Sequence, residues 1–520
     1  MDSDKPFGYL DAYEDKEYLS PCFIATTSYK KALLPATNYI CGRRGTGKSA
    51  ITLKLLEDKR YIYKDEVKGH EFYQQLIIEL RNQNAADVNK KYLFQCIWKH
   101  LIIVAAMNAV IRDLKDSEYA GELSPIYEYL KANKFFNKRS MTLWQKIITS
   151  TSNFIRKYKG KSDLSKIILG YLAELLENAQ FIDAETALKK HLSKENKCLV
   201  VVDTIMDNFE RETLFVACVE GLLQAVLELT CKKYSEHLEV KCCIPGEIYR
   251  HIKLYEQQKI RDHVVELSWK PKDLIRLVSK RYYYYQLLKD EISKEEFNRV
   301  EWDSYKNVKE TVWDKFMPSH IVNGRNIKEP THVYILRHTQ HTPRELISIL
   351  NNILYEHENN GHEKFKDCIL SGVHESIMDT VRELLISNQF LIPNLEQIME
   401  KSFSGKLKIM TSKEIFSYLR HSKSLWYLED NDLIDEDKLL KHLMSIGFFG
   451  IVVGEDANNS HVIKCKFSYM SPDILPINKD TKLAIHPVFY ERFNIAPVQG
   501  KVIYPVRHLG DRWDEIDEVD

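Results

Sequence analysis

The sequence predicts an α/β protein: a P-loop NTPase core with a parallel sheet, a large helical insertion, a helical lid and a C-terminal winged-helix-like domain. Three observations lead there. Short apolar runs bounded by turn signals, at Thr37–Cys41, Cys198–Val202, Val240–Ile244 and Val264–Leu267, have the pattern of strands buried on both faces. Helical spacings separate these runs, as connections between parallel strands require. The first run leads straight into a glycine-rich loop and then into a helix, Lys48–Leu56, with Ile51, Leu53, Leu55 and Leu56 apolar.

Bulk composition narrows the function. The chain has 520 residues, enough for several domains, and only 19 Gly and 15 Pro, so tight connections should dominate. Lys plus Arg and Asp plus Glu both number 74, for a net charge of zero. That balance argues against a bulk nucleic-acid binder, although a local basic patch stays open. The N-terminus lacks an apolar signal core, and the longest apolar run, Leu101–Ile111, is interrupted by Asn108. Such a run is too short to cross a bilayer and reads as a buried helix in a cytoplasmic protein without a membrane partner. Ten cysteines, with no CxxC among them, read as reduced and buried rather than zinc-binding.

In chain order, residues 1–35 form an acidic, aromatic N-terminal segment and 36–285 the core. A helical insertion occupies about 71–190, where Phe72, Leu76, Ile77 and Leu80 share one face. Ile167, Ile168, Tyr171, Leu172, Leu175 and Leu176 share another. A helix follows from Glu212 to Leu229. Residues 286–390 read as a helical lid, with Thr342–His357 entered through Pro343. Within 391–490, Thr411-Ser412-Lys413-Glu414 is a capping box, and Asp435–Ser445 is an amphipathic helix stopped by Gly447. Strands Phe448–Val453 and Val462–Phe467 then flank a polar loop, Gly454–Ser460, which suggests a winged helix. Residues 491–520 read as an acidic tail.

The chemistry concentrates at Gly42-Arg43-Arg44-Gly45-Thr46-Gly47-Lys48-Ser49, which meets the P-loop pattern GxxxxGK[ST] in full. Glycines permit torsions and close approaches that side chains would block. Backbone amides of the loop, extending to Ala50 at the helix start, can then cradle phosphate oxygens. Lys48 is placed to reach the β- and γ-phosphates, and Ser49 to ligate magnesium. The expected ligands are therefore ATP and Mg2+. The second magnesium partner is expected at Asp203, closing Val200-Val201-Val202; the alternative is a strand-end Asp capping the next turn. Hydrolysis needs a group that orients water. Many ATPases place a Glu directly after the magnesium Asp, but this chain has Thr204. Asp207 is the candidate for the role, with Glu210 close by, so catalysis and simple binding both stay open.

The motifs resemble the FunZ-type P-loop ATPases, a bacterial branch near the STAND and AAA-like NTPases. The likeness is carried by Phe23-Ile24-Ala25-Thr26 leading into Tyr39–Ile51, and by Val201-Val202-Asp203-Thr204. It continues in Val265–Trp269 with Asp273, Leu274 and Arg281, and in Tyr334–Thr339 with Thr342–Ile347. Ile446-Gly447-Phe448 and Ile485-His486-Pro487 also look familial. The resemblance implies an ATP-dependent switch, a homo-oligomer and a protein effector partner, in settings of bacterial antiviral defence. Arg344 looks like the arginine that contacts nucleotide from the helical lid; the alternative is a helix-start Arg in a surface pair. One departure stands out. Where AAA-type enzymes often carry a polar sensor, Pro245-Gly246-Glu247 follows the strand.

Weaker constellations read as structure. His332, His338 and His341 lack a Cys or carboxylate to complete a metal set. Tyr282–Tyr285 on a helix would spread around its circumference and pack rather than stack bases. Helix 435–445 mixes Lys438, Lys441 and His442 with Asp435, Glu436 and Asp437, which suits a protein interface better than DNA. A non-hydrolysing scaffold and a DNA-binding regulator remain the alternatives to an ATPase switch.

Overall fold

The computed structural model describes residues 5–68, 89–112, 121–135, 149, 151–154, 156–157, 170–171, 176–203, 213–231, 237–249, 252, 260–324, 326–359, 365–389, 392–427, 433–457, 459–470, 477–496 and 501–507. The chain divides into two units. One comprises Thr27–Arg43 and Lys48–Leu267; the other comprises Met1–Thr26, Arg44–Gly47 and Ser268–Asp520.

The first unit is built on β1 (Tyr39–Gly42), β2 (Tyr63–Lys68), β3 (Cys198–Asp203), β4 (Leu238–Pro245) and β5 (Val264–Glu266). Their order is β2-β3-β4-β1-β5, and every pairing is parallel. The expected α/β class with a parallel sheet is thus observed. β3 is buried along its whole length, as its unbroken apolar run requires. Helix Lys48–Leu56 has the expected bounds and sets Ile51 and Leu55 against Ile40, Leu199, Val201, Cys243 and Val265. β2 was not legible from apolar runs. It is an edge strand reading Tyr-Lys-Asp-Glu-Val-Lys, so one neighbour and one partly solvated flank suffice for it.

The described parts of the insertion are helical: Lys90–Ile111, Ser124–Ala132 and Ala179–His191. Lys90–Ile111 is long and apolar enough to cross a membrane, yet 89% of its apolar window is buried inside the protein. It crosses helix Thr213–Cys231 where Gly221 has no side chain; a Cβ there would lie 2.7 Å from Gln95 N and Phe94 Cβ. The faces read at Phe72–Leu80 and at Ile167, Ile168, Leu172 and Leu175 lie outside the described residues.

In the second unit, helix Pro271–Leu288 carries the tyrosine run, and the rings pack as expected. Tyr282 lies against Phe316, Tyr283 against Phe297 and Trp302, and Tyr284 against Tyr18. Arg281 forms a buried ion pair with Asp15, which ties the N-terminal helix Lys16–Cys22 to this helix. A small hairpin, β6 (His320–Val322) with β7 (Lys328–Pro330), was not expected; each strand has three residues, too few for a periodic signal. Helix Pro343–Asn359 crosses Phe365–Ile386 closely, since a Cβ on Gly372 would meet the Ile353 backbone at 2.6 Å.

Further along come helix Leu395–Phe403, β8 (Ile409–Thr411), helices Ser412–Leu419 and Glu436–Ser445, β9 (Phe449–Glu455), β10 (Val462–Lys466), β11 (Lys482–Ile485) and β12 (Val502–Pro505). The capping box at Thr411 and Glu414 is complete, Asp435 caps the next helix, and Gly447 stops it at φ 78°. β9 and β10 form the expected hairpin, but β8 pairs with β11 rather than with either of them. Val502–Pro505, inside the stretch read as an acidic tail, is a sheet strand parallel to β10. Residues 508–520 lie outside the described set.

Candidate functional site

β1 ends at Gly42, and the loop turns through Gly45 at φ 79° and Gly47 at φ 93° before helix Lys48–Leu56 begins. Both torsions fall where a Cβ is disfavoured, so the glycine spacing is a backbone requirement. Lys48 Nζ donates to the carbonyls of Gly42 at 2.8 Å and Arg43 at 3.1 Å. Its ammonium is therefore held over its own loop. Thr46 is buried, whereas Arg43, Arg44, Ser49 and Ala50 are half-buried.

Asp203 closes β3 and is only 1% exposed. In register it lies level with Cys243 of β4, which lies level with Ile40 of β1. Asp203 and the P-loop thus share the carboxyl end of the parallel sheet, one strand apart, where open α/β sheets bind ligands. Cys243 reports on that neighbourhood. Its thiol is pushed up first by burial, then by the charge of Asp203. It is pulled back by a hydrogen bond with Thr52 and by Lys48. Lys48 and Asp203 therefore act on one buried side chain.

The end of β4 also explains the departure at Pro245-Gly246-Glu247. A Cβ on Gly246 would come within 3.2 Å of Arg43 N and 3.3 Å of Gly42 C. The chain passes so close to the P-loop backbone that glycine is the residue that fits there. Thr204, Asp207 and Glu210 lie outside the described residues.

Arg44–Gly47 belong to the second unit, as do Trp269, Arg344 and Glu383. Trp269 Nε1 donates to the Thr46 carbonyl at 2.9 Å. Thr342 and Glu345 cap helix Pro343–Asn359 reciprocally: Glu345 N donates to Thr342 Oγ1 at 3.3 Å, and Thr342 N to Glu345 Oε2 at 3.2 Å. This fixes Arg344 in the first turn, with its Cβ 3.0 Å from where a Gly45 Cβ would sit. Arg344 Nη1 lies 3.5 Å from Glu383 Oε2, and Arg44 Nε lies 3.8 Å from the same oxygen. Sequence reasoning named Arg344 and singled out Pro245-Gly246-Glu247, but it missed Trp269 as a loop anchor, the close approach of Gly246 to the P-loop, and Glu383. The signal for that approach is that Gly246 follows a buried strand paired with the P-loop strand. Glu383 sits in the last turn of helix Phe365–Ile386 with no motif around it.

The other candidates settle as structure. His338 Nδ1 donates to Tyr334 O at 2.8 Å, His341 packs edge-on against Tyr469, and His332 is buried. Among the described residues no cluster of three metal-ligating side chains occurs, and nine cysteines are buried thiols outside any disulfide.

No family model matches the chain. It is similar, at 22% identity, to the transposon gamma-delta 80.3 kDa protein of Escherichia coli (strain K12), covering 97% of this chain and 70% of that protein. Among solved structures it resembles the Aeropyrum pernix ORC2 protein in ADPNP-ADP complexes. That likeness has 11% identity and a TM-score of 0.33, and covers 88% of this chain and 85% of that one. Cdc6p from Pyrobaculum aerophilum gives 12% identity and a TM-score of 0.28, over 91% and 95% of the two chains. Scores of this size carry no argument, and the fold rests on the strand order and register described above.

Proposed function

We propose that the chain binds ATP with magnesium at Gly42–Ser49 and hydrolyses it. In this reading the nucleotide acts as a switch on self-assembly or on a partner effector protein. The observation that carries this is the placing of the buried Asp203 and the glycine loop bearing Lys48 together at the carboxyl end of the parallel sheet, one strand apart. The residues fit the ligand. Gly45, Gly47 and Gly246 leave the loop open to close approach, and Ser49 with Asp203 offers the oxygen donors that a hard cation takes. Bound there, magnesium would neutralise charge on the phosphates. Lys48 would exchange loop carbonyls for phosphate oxygens, and Asp207 is our candidate for orienting the attacking water. The FunZ-type resemblance adds homo-oligomerisation and a setting in antiviral defence.

The test is ATP binding and turnover by the wild type, Lys48→Ala and Asp203→Ala. Lys48→Ala should lose on the order of 100-fold in turnover, and Asp203→Ala a comparable amount, because each removes charge stabilisation of the transferring phosphoryl group. Equal turnover in all three proteins would sink the assignment. Tight binding without turnover by the wild type would instead favour a scaffold, which Thr204 in the usual Glu position motivates. A DNA-binding role for helix Glu436–Ser445 is less favoured, since exposed Lys438 is paired with Asp435 at 3.0 Å.

A further inference from the structure

We infer that Glu383 is a built-in competitor for the nucleotide's phosphates, attracting the same two arginines, Arg44 and Arg344, that phosphate would draw. The inference rests on the nucleotide reading of the P-loop and deepens it.

Two arginines and one carboxylate meet here. Arg44 lies within the P-loop motif, and Arg344 stands in the first turn of helix Pro343–Asn359, packed against Gly45. Both guanidinium groups face the same Glu383 oxygen, at 3.8 Å and 3.5 Å. Those distances exceed the 2.7–2.9 Å or so of a charge-assisted hydrogen bond, so the contact is Coulombic attraction without a formed bond. All three side chains keep contact with solvent, at 35% for Arg44, 27% for Arg344 and 45% for Glu383. A guanidinium fork matches phosphate oxygens as well as it matches a carboxylate. A triphosphate at the P-loop would therefore offer both arginines a denser anion, and Glu383 would then face it as a like charge. Glu383 lowers affinity for the nucleotide and favours its release.

The test uses the full chain and ATP·Mg2+ itself, titrated by calorimetry. Glu383→Gln keeps shape and hydrogen-bonding reach but removes the charge. It should bind ATP about fivefold tighter at low salt, as expected for one unit charge several ångströms from the phosphates, and the gain should shrink at high salt. In an Arg344→Ala background the gain should be smaller still, because the two residues are coupled. A side chain that only braces its helix would shift the unfolding midpoint instead, which should stay unchanged. Affinity equal to or weaker than wild type in Glu383→Gln, or an undiminished gain in the Arg344→Ala background, overturns the inference and leaves the P-loop reading standing. Equal ATP binding by wild type and Lys48→Ala overturns both.

Discussion

Arg337 and Arg344 are close in sequence and have opposite surroundings. Arg337 is buried, and its fork is matched by Glu329, with Nε to Oε2 at 2.9 Å and Nη2 to Oε1 at 3.0 Å. Glu329 also accepts from Asn323 at 2.6 Å and from the Tyr504 hydroxyl. Arg344 is partly exposed and shares one carboxylate loosely with Arg44. Lysines of the parallel-sheet unit show the same contrast. Lys241 is fully buried and spends its donors on Leu34 O, Thr37 O and Glu239, each at 2.6 Å. Lys48 rests on two carbonyls of its own loop. A charge whose donors are all matched at short range is architecture, since removing a partner would strand it in a low-dielectric interior. A charge held at long range, or by its own loop, can be handed to a ligand.

The comparison breaks most readily at Glu329. Glu329→Ala should cost about 3–5 kcal/mol, because Arg337 is left buried without its carboxylate. ATP affinity per folded molecule should not change. Arg344→Ala should do the reverse, weakening ATP binding about tenfold while costing less than about 1 kcal/mol of stability. Urea unfolding alongside ATP titration separates the two. A Glu329→Ala protein of normal stability and poor affinity would defeat the distinction.

Acid should act on the architectural side first. Burial, then Lys309 and His320, holds His332 down at about 4 from an ordinary 6.5. The folded ring is thus neutral where the unfolded one is charged. Stability is complete above about pH 6.5 and falls as pH drops toward 4, by roughly 1.4 kcal/mol per unit and up to about 3 kcal/mol in all. Glu329 adds a second loss lower down. Burial raises its carboxyl, but the charge of Arg337 and the bonds from Arg337, Tyr504 and Asn323 outweigh that and leave it below 4.5. Its contribution is present above 4.5 and lost as pH falls through the depressed value. His332→Gln should flatten the wild-type slope between pH 6.5 and 4; an identical slope in both proteins would remove His332 from the account.

Gly246→Ala should have a smaller effect, centred on the site. The new Cβ would sit 3.2 Å from Arg43 N, so the P-loop must yield by a few tenths of an ångström. ATP affinity should fall several-fold, given how steeply positioning errors cost function. Unchanged affinity would mean that the loop tolerates the shift.

These contrasts mark what the sequence could reveal. β1, β3, β4 and β5 were legible because strands buried on both faces write unbroken apolar runs. The P-loop was legible because its spacing is a backbone requirement, and Asp203 because it ends such a run. β2 was hidden because an edge strand can be polar, and β12 because Val502–Pro505 borders an acidic segment. Glu383 was invisible for a different reason. Its relation to Arg344 is made by the packing of two helices, and its relation to Arg44 by a loop distant in sequence, so neither leaves a local periodicity.

The most local expected effect is at Trp269. Its indole engages the Thr46 carbonyl at 2.9 Å, which fixes one peptide of the loop and keeps that oxygen from turning toward bound phosphate. Trp269→Phe retains an aromatic ring against the surrounding core but removes the donor. One neutral hydrogen bond contributes about 0.5–1.5 kcal/mol, so ATP affinity should fall about twofold to tenfold. Because no charge is lost, that deficit should be the same at low and high salt. The gain in Glu383→Gln should fade with salt, since it comes from removing a partly exposed charge. A salt-dependent deficit in Trp269→Phe would mean that the indole acts through the neighbouring arginines, and its place as a simple anchor of the loop would have to be given up.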